Sequence, residues 1–179
     1  MVDFRPRNFC LCFRKHQISN LSIVLKKRYF HSKRLMKENF LLIREFQESD
    51  AQSLVSLWNV CKLTVPWNNP YKDIKRKLCV QPELFLVGYV EENLIASAMA
   101  GYDGHRGWIN YFAVHPDFQS RGFGKQLMDY VENRLRELGC PKINLQIREG
   151  NKKVLSYYQK LGYVEEKRIS MSKRLEDDQ

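Results

Sequence analysis

The stretch HPDFQSRGFGKQLMDYV, residues 115–131, decides the fold. Within it a Gly-spaced turn, residues 119–124, separates an apolar run from a pattern typical of an amphipathic helix. Where a strand passes into a helix, the first backbone N–H groups lack partners and, with the helix dipole, attract an anion. Gly122 and Gly124 let the backbone approach phosphate oxygens, and Arg121 and Lys125 add positive charge. The stretch predicts an anion site suited to a diphosphate, although a tight turn with two convenient glycines is the alternative.

Regular patterns continue on both sides of this turn. Apolar or alternating runs predict strands at residues 39–46, 83–90, 94–102, 108–116, 142–147 and 163–175. Helical spacing predicts helices over residues 51–61, 70–78, 123–138 and 151–161, with Asn69 and Asn151 as N-caps. The order β-α-α-β-β-β-α-β-α-β, without an internal repeat, predicts an α/β domain around a mixed sheet.

The 179 residues suit one globular domain with an extension, and no apolar stretch is long enough to span a bilayer. We therefore expect a protein that is not embedded in a membrane. The five cysteines, an odd number without a C-x-x-C pair, favour a reducing compartment over a disulfide framework or a zinc site. A metal ligand set built on Cys10, Cys12 and His16 lacks an evident fourth ligand.

Positive charge is concentrated at the start of the chain. Residues 1–35 contain nine of the 30 Lys and Arg residues and one of the 20 acidic residues, which leaves a net charge of +2 on residues 36–179. This balance argues against nucleic-acid binding by the main domain. Three interpretations of residues 1–35 stay open: a disordered basic arm, an organelle transit peptide, or the product of a start codon assigned too early, since Met36 precedes the first strand pattern.

Two spaced motifs occur in a fixed order. The turn matches Q-x-x-G-x-G, and NKKVLSYYQKLGY, residues 151–163, matches N-x-x-[A/V]-x-x-x-Y-x-x-x-G-[F/Y]. With the strand YFAVHP before the turn, the sequence resembles the GNAT superfamily of N-acyltransferases from about residue 40 to 175. VPWNNPYKDIKRKL, GYDGHRGW and GCPKINL further resemble the bacterial YpeA-type acetyltransferases. The resemblance implies a GNAT domain at residues 36–179, with a mainly antiparallel central sheet flanked by helices.

The resemblance also implies a cofactor site for acetyl-CoA and no metal. In this family the turn binds the pyrophosphate, and the preceding strand pairs its backbone with the pantetheine arm. Asn151 matches a family Asn that contacts the cofactor, although it is equally suited to be a simple N-cap. The implied cofactor-binding residues are Phe112, Ala113, Val114, Gln119, Ser120, Arg121, Gly122, Phe123, Gly124, Lys125 and Asn151.

Tyr158 matches the family tyrosine that faces the leaving thiolate, and a phenol can donate a proton to it. Packing in the core is the alternative for Tyr158, and the adjacent Tyr157 is a second candidate. Many relatives have a Glu on the strand before the turn as general base, but GWINYFAV has no acidic residue. Asp103 and His105 are the nearest titratable candidates, or else part of a polar hairpin loop. We expect His115 to be structural. Trp67 lies in a region that borders the acceptor site in this family, and we expect it in the core, with a wall of the acceptor site as the alternative.

The sequence therefore predicts an N-acetyltransferase that moves an acetyl group from acetyl-CoA to a primary amine by direct attack on the thioester. The alternative is an acyl-CoA-binding sensor or regulatory module without turnover. We expect a small-molecule or protein amine as acceptor, no membrane partner, a monomer or homodimer, and a cytoplasmic location, with organelle targeting as the other outcome for residues 1–35.

Overall fold

A five-stranded sheet forms the centre of the fold in the computed structural model, which describes residues 40–176 and residue 178. The first four strands are antiparallel neighbours in chain order, and the fifth pairs in parallel with the fourth. The predicted class, a mainly antiparallel mixed sheet flanked by helices, is confirmed. The strands are β1 (Leu42–Glu45), β2 (Phe85–Val90), β3 (Asn93–Tyr102), β4 (Gly107–Val114) and β5 (Ile143–Leu145).

Four helices connect these strands: α1 (Ala51–Val60), α2 (Pro70–Leu78), α3 (Phe123–Glu137) and α4 (Lys152–Lys160). Both predicted caps are confirmed. The Asn69 side chain accepts hydrogen bonds from the first backbone N–H groups of α2, and Pro70 occupies the first helical position, where a missing N–H costs nothing. The Asn151 side chain accepts a hydrogen bond of 3.2 Å from the backbone N–H of Val154.

The sheet is covered on both faces, and the alternation of side chains in β2 shows how. Phe85 and Val87 pack with Trp58 of α1 in one apolar cluster, whereas Leu86, between them, packs with Leu127 of α3 in the other. Side chains two residues apart lie on the same face of a strand, so β2 supplies both clusters and is buried almost throughout. Helices α1 and α2 cover one face, and α3 and α4 cover the other.

The predicted strand at residues 163–175 is not formed. Side chains of this segment contact the region of β5 by an ion pair between Lys142 and Glu166 and a hydrogen bond of 2.6 Å from Gln146 to Ser170. After Tyr163, which packs against the core, its apolar residues lie in solvent, with Ile169, for example, 92% exposed. The alternating apolar side chains therefore find no apolar surface to pack against. The charged residues at 165–168 favour solvent, so the segment does not pair with the sheet.

The basic segment at residues 1–35, including the suggested ligands Cys10, Cys12 and His16, lies outside the described residues. Over residues 40–176, none of the helices combines the length and the apolar character needed to cross a membrane.

Candidate active site

Strand β4 is longer than its partner β5, and this difference opens the sheet. The parallel pairing joins Gly107 to Ile143 and ends where Ile109 meets Leu145. Beyond this point Asn110, Ala113 and Val114 pair with β3. In the part of the chain that the structure describes, the other edge of residues 110–114 therefore has no strand partner. An extended ligand that contains amide groups can pair with such an edge. Phe112, Ala113 and Val114, which the sequence assigned to the pantetheine arm, lie on it.

A β-bulge interrupts β4 within this open part. Between the pairs Ser97–Ala113 and Met99–Asn110, the single residue Ala98 of β3 faces two residues of β4, which are Tyr111 and Phe112. Tyr111 has a φ of 49°, in the left-handed region that L-residues other than Asn and Asp rarely adopt. The bulge shifts the alternation of side chains: Ile109 packs in the cluster with α3 and α4, whereas Tyr111, two residues later, packs in the cluster with α1 and α2. Phe112 returns to the cluster with α3 and α4.

The Gly-rich turn follows β4 directly. A 3-10 turn (Pro116–Phe118) leads into it, and helix α3 starts after Gly122. Ser120 has a φ of 61° and Gly122 a φ of 86°, so the backbone winds into a concave loop. The backbone N–H groups of residues 120–125 donate no hydrogen bond to any described residue. These six consecutive donors stand at the N-terminus of a 15-residue helix, an arrangement that can bind an anion, so the anion site stays a prediction that the geometry permits.

Gln119 connects three elements at the mouth of the turn. Its Nε2 donates a hydrogen bond of 3.0 Å to the carbonyl oxygen of Val114 at the end of β4. Its Oε1 accepts a hydrogen bond of 3.1 Å from Nζ of Lys153 in α4. Lys153 therefore brings a third cation close to the turn. The sequence analysis missed it because Gln119 and Lys153 are 34 positions apart in the sequence.

The two cations predicted within the turn are exposed and hold local partners. Arg121 donates a hydrogen bond of 2.7 Å to the carbonyl oxygen of Asp117, and its guanidinium group lies 5.1 Å from the centre of the Phe118 ring. Lys125 forms an ion pair with Asp129 one turn further along α3. Surface contacts of this kind stabilise little, so both side chains can turn towards an anion.

Two tyrosines of α4 lie beside the bulge. The ring centre of Tyr158 is 6.2 Å from that of Phe112, and the ring centre of Tyr157 is 6.3 Å away. The Tyr157 hydroxyl is buried without a hydrogen-bond partner, and a Cβ atom at Gly124 would lie 2.7 Å from it. Tyr158 is 7% exposed and belongs to the core, as its alternative interpretation held. Core packing does not exclude chemistry here, because its ring borders the open part of β4.

Burial sets the protonation of both phenols. It raises the pKa of Tyr157 to about 12, with smaller contributions from Asp129 and Glu132. Burial, followed by the influence of Tyr157, raises the pKa of Tyr158 well above the usual phenol value of about 10. Both groups therefore hold their protons at neutral pH and can act as hydrogen-bond donors.

Asp103 and His105 lie at the other end of β4. The Asp103 carboxylate accepts hydrogen bonds from the backbone N–H groups of Arg106 and His105 and from the Trp108 indole, and these contacts lower its pKa. The Asp103 carboxylate therefore stabilises the polar loop of the β3–β4 hairpin, which was the alternative interpretation of these residues. At about 3.3 Å per residue, the seven residues from His105 to Phe112 span roughly 20 Å. The structure therefore does not bring Asp103 or His105 to the tyrosines.

The face with α1 and α2 contains groups that the sequence analysis did not assign. The Tyr111 hydroxyl donates a hydrogen bond of 2.7 Å to Asp73 of α2. Trp67, expected in the core, is 54% exposed in the loop before α2, and its carbonyl oxygen accepts a hydrogen bond from Arg174. The expectation was wrong because Asn69 and Pro70 start a new helix immediately after Trp67, which leaves the indole outside the stripe that packs inwards. His115 is structural, as expected, since its Nδ1 accepts a hydrogen bond from the Asp117 N–H.

These features fit acetyl-CoA. The open edge of β4 offers backbone groups to the pantetheine amides, and the turn offers six N–H groups and nearby cations to the diphosphate. An added Cβ at Gly122 would meet no other atom within 4 Å, so the backbone is open to a ligand at that point. Within the described residues, His, Cys, Asp and Glu side chains form no group that can hold a metal ion.

The model of the family described as "Acetyltransferase (GNAT) family" matches residues 45–163, well over half of the chain. The chain belongs to the GNAT family. An acetyltransferase of Yersinia enterocolitica is 48% identical over 137 residues, covering 76% of this chain and 97% of the relative. An acetyltransferase of Pectobacterium atrosepticum is 46% identical over 136 residues, covering 76% and 96%. The predicted family and its bacterial relatives are thereby confirmed.

Solved structures agree with the fold of this GNAT protein. Ard1 from Thermoplasma volcanium is 25% identical, with a TM-score of 0.60 over 69% of this chain and 82% of that one. The aminoglycoside acetyltransferase AAC(6')-Iy, in complex with the bisubstrate analogue CoA-S-monomethyl-acetylneamine, is 18% identical, with a TM-score of 0.63 over 75% and 98%. The GNAT protein described here is an acetyl-CoA-dependent acetyltransferase, as predicted.

Proposed function

We propose that this GNAT protein transfers the acetyl group of acetyl-CoA to a primary amine by direct attack of the amine on the thioester. One observation carries the proposal. The open edge of β4, residues 110–114, has no strand partner among the described residues, and after the short connection at residues 115–119 come the N–H groups of residues 120–125, which donate to no described residue. Their order matches that of the amides and the diphosphate along the cofactor.

The cofactor-binding roles follow from position. Phe112, Ala113 and Val114 would bind the pantetheine arm through backbone groups, and the turn would hold the diphosphate. The diphosphate contacts would be made by Gln119, Ser120, Arg121, Gly122, Phe123, Gly124 and Lys125. Asn151 uses its Oδ1 to cap α4, which leaves its amide nitrogen as the donor for a cofactor contact. Bound acetyl-CoA supplies the activated acyl group, and the protein positions it.

Tyr158 is the proposed catalytic residue. Attack of the amine expels a thiolate, and a hydrogen bond from a phenol stabilises the negative charge as it develops. Because burial raises the Tyr158 pKa, the hydroxyl is protonated over the whole working range of pH. Tyr157 is assigned no such role, since its hydroxyl is enclosed against Gly124.

The attacking amine must first lose a proton, since the pKa of a Lys-type amine is about 10.4. Asp103 and His105 lie too far along β4 to accept it. We propose that solvent accepts the proton of the amine on the face with α1 and α2. The exposed Trp67 borders the proposed acceptor site on this face. The acceptor class is an amine-bearing small molecule or protein.

Calorimetric binding of acetyl-CoA to the full chain tests the cofactor site, and thiol release with a panel of primary amines tests turnover. Gly122→Val places a β-branched residue at a φ of 86°, and we expect the Kd for acetyl-CoA to rise at least ~10-fold, because charge-assisted hydrogen bonds to the diphosphate are lost. Gly139→Val is the matched control: it has a φ of 78° and equally open surroundings at the other end of α3.

Equal Kd values for the two variants would contradict the diphosphate site. Acetyl-CoA binding without CoA release for any amine would instead favour the sensor or regulatory module. Release of CoA together with an acetylated amine would support transfer, and the lack of an acetylated-protein species in a rapid quench would support direct attack.

A further inference from the structure

A buried hydrogen-bond relay fixes the bulge of β4. The indole N–H of Trp58 donates to Oγ of Ser97 at 2.9 Å, and the Ser97 hydroxyl donates to the carbonyl oxygen of Tyr111 at 2.9 Å. Trp58 can only donate. Ser97 therefore receives its hydrogen bond from Trp58 and directs its own proton to Tyr111. Both Trp58 and Ser97 are 0% exposed, so water does not replace either side chain in the relay.

The relay replaces a bond that the bulge removes. The pairing between β3 and β4 passes from Ser97–Ala113 directly to Met99–Asn110. Tyr111 and Phe112 therefore have no register partner in β3. A backbone carbonyl left unpaired in a protein interior is costly. The Ser97 hydroxyl satisfies the Tyr111 carbonyl and thereby holds this peptide in the orientation that a φ of 49° at Tyr111 requires.

That peptide joins Tyr111 to Phe112. In a planar trans peptide, C=O and N–H point in opposite directions. When the Tyr111 carbonyl points at Ser97 of β3, the Phe112 N–H points away from Ser97. Phe112 lies beyond the last pair between β4 and β5, so its N–H belongs to the open edge proposed to bind acetyl-CoA. Its ring is also the one beside Tyr158.

We propose that Ser97, oriented by Trp58, is a positioning residue that sets the direction of the Phe112 N–H and so tunes the binding of the acylated pantetheine arm. The inference rests on the proposed function, because it needs acetyl-CoA along β4. The inference concerns only the part of the site along β4, which would bind the pantetheine arm. The turn that would hold the diphosphate begins at residue 119 and makes no contact with Ser97 or Trp58 among the described hydrogen bonds.

The test compares two ligands in each variant of the full chain. Acetyl-CoA reaches both the strand and the turn, whereas adenosine 3′-phosphate 5′-diphosphate carries the diphosphate without pantetheine. For Ser97→Ala we expect the Kd of acetyl-CoA to rise about tenfold, the scale of one lost hydrogen bond. The Kd of the fragment should change less than about twofold. Ser97→Thr, which keeps the hydroxyl, should restore the ratio of the two Kd values.

Ile95→Val is the matched control, since Ile95 is a 1% exposed residue of the same strand whose truncation destabilises without touching the relay. It should lower the melting temperature and leave the ratio unchanged. Ser97→Cys keeps a weak donor of similar size and serves as a second variant if Ser97→Ala does not fold, with an intermediate ratio expected.

The outcomes separate the two proposals. If the wild-type chain binds acetyl-CoA and the ratio for Ser97→Ala, or for Ser97→Cys, equals that of Ile95→Val, Ser97 is merely structural and this inference is overturned alone. If the wild-type chain binds neither ligand, the proposed function fails and the inference falls with it. A ratio that changes in the Ser97 variants and returns in Ser97→Thr supports the positioning role.

Discussion

The hydroxyl of Tyr157 lies against Gly124, so that a Cβ atom at position 124 would approach it to 2.7 Å and the adjoining ring carbon to 3.3 Å. The contact joins α4 to the first turn of α3, where the proposed diphosphate site begins. The hydroxyl is also buried without a hydrogen-bond partner. The second glycine of the motif therefore provides space for a tyrosine ring. This role is separate from letting the backbone approach a phosphate group.

This contact predicts that substitutions at Gly124 and Tyr157 have non-additive effects on the free energy of unfolding. Gly124→Ala should lower the free energy of unfolding by about 1–3 kcal/mol, because a rigid ring cannot move aside cheaply. Tyr157→Phe alone should raise it by about 1 kcal/mol by removing a buried unpaired hydroxyl. In the double variant the cost of Gly124→Ala should shrink by more than half. Urea unfolding of the four proteins measures the coupling, and additive effects would show that the two side chains do not meet.

The pH dependence of catalysis should follow the acceptor amine. We expect kcat/KM to rise about tenfold per pH unit towards the amine pKa of about 10.4. No alkaline decline should appear below pH 10, because the Tyr158 pKa is raised and the phenol keeps its proton there. Tyr158→Phe should lower kcat by about 10²-fold without changing this slope, whereas Tyr157→Phe should leave kcat within about twofold of wild type.

Asp103→Asn and His105→Ala test whether the hairpin loop takes part. Both should leave the pH profile of kcat/KM unaltered, since the two residues lie roughly 20 Å along β4 from Phe112. A break in the wild-type pH profile that disappears in His105→Ala would restore His105 as general base.

Lys153 should contribute to diphosphate affinity through its charge. Lys153→Ala is expected to raise the Kd for acetyl-CoA about threefold at low ionic strength, with the difference shrinking as salt increases. Lys152→Ala removes the same charge one residue earlier and should have the smaller effect, because only Lys153 contacts Gln119. Calorimetry at two salt concentrations distinguishes the pair, and identical Kd values would remove Lys153 from the site.

We propose that residues 36–179 form the acetyltransferase domain and that residues 1–35 are dispensable for it. The truncated chain should bind acetyl-CoA with an unchanged Kd at 0.15 M salt. Any affinity for nucleic acid should be lost with the first segment, which carries a net charge of +8. A truncated protein that folds but no longer binds acetyl-CoA would contradict this boundary.

Local signals in the sequence were sufficient for the helices, their caps and the Gly-rich turn, since each depends on a few neighbouring residues such as Asn69 with Pro70. The bulge at Tyr111 was not predicted, because it arises from the register of β4 against β3 and from the buried hydroxyl of Ser97. The strand at residues 163–175 was predicted from alternation alone, which says nothing about whether a neighbouring edge is available. The sequence analysis placed Asp103 and His105 near the catalytic site. In the structure the length of β4 separates them from it.

The track from β4 to the turn is made of main-chain groups, and every residue except proline carries them. Substitutions at Phe112, Ala113, Val114 or Ser120 that keep the backbone in place should therefore leave most of the proposed cofactor donors intact. On this proposal, natural variation in the loop at Trp67 and in the exposed segment at residues 163–175 can change the acceptor amine, while acetyl-CoA binding is retained because it depends on backbone shape rather than on side-chain identity.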